Sequence, residues 1–210
     1  VYGGGEANTA VSLSNFGVDC AYVTKLPENG IGQSAVNSLR QYGVDISNIV
    51  RGGEQIGIYF LEKKTSQRPS NVVYNRSGSA IALATDADFD WDKIFEGVTW
   101  FHFSGITPAI SDNLAGICLK ACKIAKEKNI TVSCDLNYRS KLWSGEKANE
   151  VMSEICKYVD ICIANEDDAV GIFQINPGPE VANRNEYIAE ELMKRFPFKM
   201  VASVWRTEKS

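Results

Sequence analysis

The sequence predicts an α/β protein: a mostly parallel sheet flanked by helices, with a small antiparallel hairpin set into it. Two observations carry that expectation. From Val98 onward, short β-branched or aromatic runs alternate with longer amphipathic stretches, the rhythm of parallel βαβ units with helices on both faces. Between residues 52 and 80 the rhythm breaks, and two strand-like runs follow one another with no helical stretch between them.

Taken in order, residues 6–16 read as a helix ended by Gly17, 20–24 as a strand, and 33–42 as a helix ended by Gly43. Runs 56–61 and 71–76 form the expected hairpin, joined by the polar stretch 63–70. Two strands alone are marginally stable, so the hairpin should pack on the sheet, a further strand or a second subunit. Strands follow at 100–103, 130–135, 160–164 and 200–205. The helices between them fall at 111–128 (capped by Ser111 or Asp112, stopped at Asn129), 146–158, 166–173 and 185–196. The whole stretch, 1–210, is expected to form one domain with 52–80 inserted as a lid. No strand precedes Gly3-Gly4-Gly5, and the last strand has no covering helix, which is rare for a parallel sheet. The sequence therefore reads as a piece of a longer chain.

Composition narrows the classes of function. Of 210 residues, 44% are hydrophobic and 23% charged, an ordinary globular balance. A net charge of −4 gives no reason to expect nucleic acid or an anionic membrane as partner. No apolar run approaches the roughly 18 residues of a membrane span, and no signal-peptide pattern opens the chain, so the cytoplasm is the expected compartment. Six cysteines (Cys20, Cys118, Cys122, Cys134, Cys156, Cys162) form no CxxC pair and mostly lie in apolar stretches, as buried reduced thiols do. His102, the single histidine, reads as a core residue, which speaks against zinc and Ser-His chemistry.

Three places carry residues suited to chemistry. Gly3-Gly4-Gly5 leads into a helix, where close backbone approach meets a positive helix end. The pattern fails the dinucleotide fingerprint at Asn8, which disfavours a nicotinamide enzyme, and no P-loop occurs. Taken alone it fits a flexible glycine turn slightly better than a site. On the hairpin, Val72, Tyr74 and Arg76 share one face by the period of two, with Tyr59 in reach on the opposing strand. Two tyrosines and an arginine suit a hydroxylated anionic ligand, since arginine clamps a carboxylate bidentately. An edge hairpin with a solvated arginine fits equally. Finally, Asp135, Asn137 and Arg139 follow one parallel strand and Asn165-Glu166 the next, where ligands of open α/β sheets bind. An N-cap role explains Asn165 but not Asp135, Asn137 and Arg139.

Together, Gly3-Gly-Gly-Glu-Ala-Asn8, Tyr59, Tyr74, Arg76, Asp135-Leu-Asn-Tyr-Arg139 and Asn165-Glu166 resemble the ribokinase-like (PfkB) carbohydrate kinases, in order along the whole stretch. The branch most resembled acts on 2-keto-3-deoxygluconate. The resemblance implies a three-layer α/β/α sandwich with an antiparallel β lid. It implies ATP-dependent phosphorylation of a small sugar acid, 2-keto-3-deoxygluconate going to its 6-phosphate, with ATP and Mg2+ as cofactors. A kinase of a neutral sugar and a non-catalytic sugar-binding module are the alternatives. By the same resemblance, Gly4, Gly5 and Asn8 meet the hydroxyl end of the sugar, and Tyr59 and Tyr74 line the lid. Arg76 and Arg139 meet the carboxylate, Arg139 also lying near the ATP phosphates; Asn137 lies on the nucleotide side. Asn165 and Glu166 organise magnesium and its waters. Glu6 stands where ribokinase has a smaller residue, consistent with a different sugar. The family's Gly-Ala-Gly-Asp-type segment, whose aspartate activates the sugar hydroxyl, has no counterpart in residues 1–210, so no catalytic base is assigned. Ile58 and Phe60, on the face opposite Tyr59, predict a homodimer or higher homo-oligomer through the lid.

Overall fold

Capped amphipathic stretches and short apolar runs become helices and strands in two units, residues 1–89 and 90–210. The computed structural model describes residues 2–64 and 71–203.

In the first unit, α1 (Gly5–Asn15) and α2 (Gly30–Arg40) accompany two short parallel strands, β1 (Thr24–Leu26) and β2 (Ile49–Arg51). Ala10 of α1 meets Leu39 of α2 and Val44 in one core cluster, while Leu26, Ala35 and Val36 form a second. The strand expected at 20–24 lies further on, because the pairing with Ile49–Arg51 starts at Thr24; Ala21 makes only an isolated bridge to Asp45. Helix α2 begins three residues before the expected start. The Asn29 side chain caps it by accepting from the Ile31 and Gly32 N–H groups at 3.1 and 3.0 Å. Gly32 is there for space, since a Cβ would stand 2.0 Å from the Pro27 carbonyl oxygen.

The expected hairpin is present as β3 (Ile58–Glu62) and β4 (Asn71–Asn75), antiparallel, with Tyr59 opposite Tyr74 and Phe60 opposite Val73. Residues 65–70 of its connection lie outside the described residues. Its base is tied by a bridge between Gln55 and Ser79 and by the Ala80 N–H donating to the Gln55 carbonyl at 2.8 Å. Every residue of β3 is exposed.

In the second unit the parallel order is β5 (Trp100–Ser104), β6 (Thr131–Asp135), β7 (Ile161–Ala164), β8 (Met200–Ser203). Residues 204 and 205 of the last expected strand lie outside the described residues. Helices α3 (Trp91–Ile94), α4 (Ile106–Ile110), α5 (Asp112–Glu127), α6 (Gly145–Ile155), α7 (Glu166–Phe173) and α8 (Arg184–Arg195) precede and link the strands. Helix α5 ends as expected at Asn129, whose φ of +58° lets its N–H reach the Lys126 carbonyl and that of Ile130 reach Ala125, at 3.0 and 2.8 Å. The helix expected over 146–158 is α-helical only to Ile155 and tightens into a 3-10 turn at Cys156–Tyr158. Helix α4 was not expected; its Pro108 sits in the first turn, where no intrahelical N–H is needed.

In this unit Val132, Cys134 and Leu136 on and just after β6, Ile117, Ala121 and Cys122 on α5, Met152 and Ile155 on α6, Cys162 on β7 and Leu192 on α8 are all buried. Five of the six cysteines are buried and Cys20 is half-buried; burial pushes the Cys122 thiol up to about 12. His102 is half-buried, with Nδ1 2.8 Å from the Ser133 hydroxyl, which also accepts from the Trp100 indole at 2.8 Å. At the amino ends of β6, β7 and β8, buried Asp160 accepts from the Val132 N–H at 2.9 Å and from the ammoniums of Lys126 and Lys199 at 2.8 and 2.9 Å. Among the described residues no helix is long and apolar enough to cross a membrane.

Candidate active site

The opposite, carboxyl ends of the strands gather the polar residues of the second unit. β6 continues one residue beyond Asp135, the Leu136 N–H donating to the Ile163 carbonyl at 2.9 Å. The chain then turns sharply. Asn137 has φ +41°, and its N–H donates to the Asp135 carboxylate at 3.1 Å, an Asx turn. The Tyr138 N–H donates to Asp168 Oδ1 at 2.8 Å, and the exposed Arg139 guanidinium folds back to donate to the Tyr138 carbonyl at 2.8 Å.

On the neighbouring strand β7, Asn165 caps α7. Its side-chain oxygen accepts from the Asp168 N–H at 2.9 Å, while Asp168 Oδ2 accepts from the Asn165 N–H at 3.1 Å, a reciprocal capping box. One buried carboxylate, Asp168, thus bridges the loop carrying Asn137 and Arg139 to the turn carrying Asn165 and Glu166. Burial raises its carboxyl above the usual value; the Tyr138 and Asn165 N–H groups and Arg139 only partly offset this. Both Glu166 oxygens take donors from Arg184 of α8, Nε at 2.8 Å and Nη2 on the other oxygen. That pairing holds the Glu166 carboxyl below its ordinary value.

The magnesium expectation meets this geometry directly. Asn165 spends its oxygen on the helix cap and Glu166 is engaged by Arg184, and among the described residues no group of three or more His, Cys, Asp or Glu is placed to hold a metal ion.

In the first unit the structure brings Tyr59, Tyr74 and Arg76 together on one hairpin face. The two phenol rings are 6.2 Å apart, and the Arg76 guanidinium carbon lies 4.3 Å from the centre of the Tyr74 ring, a cation–π stack. Gly4, Gly5 and Asn8 form a group of their own. Gly4, with φ +153°, provides no side chain to cap α1, and Asn8 is exposed in the first turn. Three residues at these places escaped the sequence reading: Tyr138, Asp168 and Arg184. The spacing Asn165-x-x-Asp168 is a capping-box signature that points to Asp168, and a glycine inside short α7, Gly171, signals close approach.

Residues 1–196 match the profile of the pfkB family carbohydrate kinase. The chain belongs to that family. It is 32% identical over 198 residues to the 2-dehydro-3-deoxygalactonokinase of Haloferax volcanii, covering 94% of this chain and 60% of that one. The crystal structure of 2-dehydro-3-deoxygluconokinase from Thermotoga maritima superposes with a TM-score of 0.93 at 50% identity, over 99% of this chain and 63% of that one. A sugar kinase of Pyrococcus horikoshii in complex with ATP superposes with a TM-score of 0.71 at 25% identity, over 82% of this chain and 56% of that one. This pfkB-family chain therefore has the ribokinase-like α/β fold and spans about 60% of the length of these relatives.

Proposed function

We propose that this chain is the sugar-binding part of an ATP-dependent kinase for a small sugar acid, transferring the γ-phosphoryl group to the 6-hydroxyl of 2-keto-3-deoxygluconate. The observation that carries the substrate class is Arg76, half-buried and stacked on Tyr74 across from Tyr59, a cation set among phenols on a hairpin face. A family of carbohydrate kinases, and relatives whose names specify 2-dehydro-3-deoxy sugar acids, support the same class.

On this reading Gly4, Gly5 and Asn8 meet sugar hydroxyls, Tyr59 and Tyr74 line the lid, and Arg76 and Arg139 neutralise the carboxylate. Arg139 also faces the nucleotide phosphates, with Asn137 beside the nucleotide. Phosphoryl transfer depends on positioning and on charge neutralisation more than on covalent help from the protein. The residues of this chain accordingly bind and orient, and no proton acceptor for the sugar hydroxyl is assigned among them. Magnesium would accompany the ATP phosphates and neutralise their charge, and Asn165 and Glu166 are the residues of this chain that would meet it and its waters. The enzyme is a cytoplasmic homodimer joined through the hairpin.

The test is kcat/KM for 2-keto-3-deoxygluconate and for fructose, in full-length wild type and Arg76→Ala. Removing one partner of a charge pair in a partly closed site costs about 2–5 kcal/mol, tens-fold to thousands-fold. The loss is expected for the sugar acid and much less for the neutral ketose. Equal losses for both sugars would overturn the carboxylate assignment and favour general damage to the lid.

A further inference from the structure

We propose that Tyr138 is a positioning residue for Arg139 and Asn137, and that position 171 is glycine so that the Tyr138 ring can lie against α7. A Cβ placed on Gly171 would stand 2.6 Å from both Cδ1 and Cε1 of Tyr138, closer than side-chain carbons approach one another. Gly171 does not have a positive φ, so backbone freedom is not what glycine supplies there. It sits inside an eight-residue helix, where glycine is the poorest ordinary helix former. Space for the ring is the remaining reason.

A second glycine completes the seat. A Cβ on Gly145, the first residue of α6, would stand 2.7 Å from the Gly171 carbonyl oxygen and 3.8 Å from the Tyr138 hydroxyl. The two helices meet backbone to backbone at that point, with the phenol alongside. Asp168, which accepts the Tyr138 N–H, is three residues before Gly171 and so shares its helix face. Residue 138 is therefore gripped twice by one face of α7, by its amide and by its ring. Its carbonyl in turn receives the Arg139 guanidinium. Unseating the ring moves the carbonyl on which that guanidinium rests. A pre-aimed arginine binds an anion without first losing its own freedom, and that is what the seat contributes.

The kinetic part of this inference rests on the kinase reading; the structural part does not. In the full-length protein, Gly171→Ala is expected to raise KM for the sugar acid or ATP about ten-fold, while Tyr138→Phe, which keeps the ring, stays within about two-fold. Tyr138→Ala should match Gly171→Ala. The double variant should be no worse than Tyr138→Ala alone, because the added methyl then has room, a non-additivity that independent damage would not show. Hydrogen exchange of a peptide spanning residues 136–143 reads the contact without activity; its protection should fall in Gly171→Ala and Tyr138→Ala and persist in Tyr138→Phe. An inactive wild type with this exchange pattern would sink the kinase reading and leave the seat standing. Retained protection in Gly171→Ala, unchanged KM despite lost protection, or additive losses in the double variant would each overturn the proposal.

Discussion

Asp160 and Asp168 are both almost fully buried, near opposite ends of β7, and their neighbours move their carboxyl groups in opposite directions. Burial alone would raise Asp160, but the Lys126 ammonium, the Val132 N–H and the Lys199 ammonium outweigh it and bring the carboxyl down to about 2. A depressed folded-state value means stabilisation that is complete above the unfolded value of about 4 and lost as pH falls towards 2. Asp160→Asn should thus cost about 2 kcal/mol at pH 7, the lysines being too exposed to add much more, and distinctly less near pH 2.5. Urea melts of both proteins at the two pH values check this; an equal loss at both would show that packing, not charge, is involved. Among the described residues no cation is bonded to Asp168 and burial raises its carboxyl, so Asp168→Asn should remove the capping box, costing about 1 kcal/mol, and also loosen the 136–143 loop. Asp168 escaped the sequence reading for a physical reason. Glu166-Asp167-Asp168 reads as a run of acids favouring a helix start; the capping-box spacing points to the local bond with Asn165, but only the fold brings the Tyr138 amide to the same carboxylate. Arg76 and Tyr74, by contrast, were legible as neighbours, because a strand repeats every two residues.

Among the elements, the hairpin places Tyr59, Leu61, Val72 and Tyr74 on one face and Ile58, Phe60 and Val73 on the other, with Phe60 58% exposed. If that second face is the dimer surface, Phe60→Asp should convert the full-length dimer to monomer in light scattering while barely moving the monomer's own stability, since the described residues leave the ring exposed. A variant that stays dimeric would place the interface elsewhere. Helix ends were readable where one residue type has one job. Asn129 takes the left-handed conformation that closes α5, so Asn129→Ala should cost about 1 kcal/mol and Asn129→Gly almost nothing in thermal melts. The three-residue strands β1 and β2 were not readable in place. Lys25 and Arg51 break any apolar run, and Leu26 buries against Ala35 and Val36 of a helix that sequence alone does not position.

At the scale of the molecule, family membership was legible because separate short patterns occur in the right order, none of them sufficient alone. Circular dichroism during refolding of the full-length protein should show helical signal well before the β5–β8 amides become protected, because parallel pairs have no hairpin from which to zip. Simultaneous gain of both would count against that order. The same topology bears on how the protein is made. β5, with Trp100, Phe101 and Phe103, leaves the ribosome before its partner β6, which starts at Thr131. At about 5–20 residues per second that delay is on the order of a few seconds. For those seconds an apolar strand with open edges faces water, a target for any chaperone that guards nascent chains.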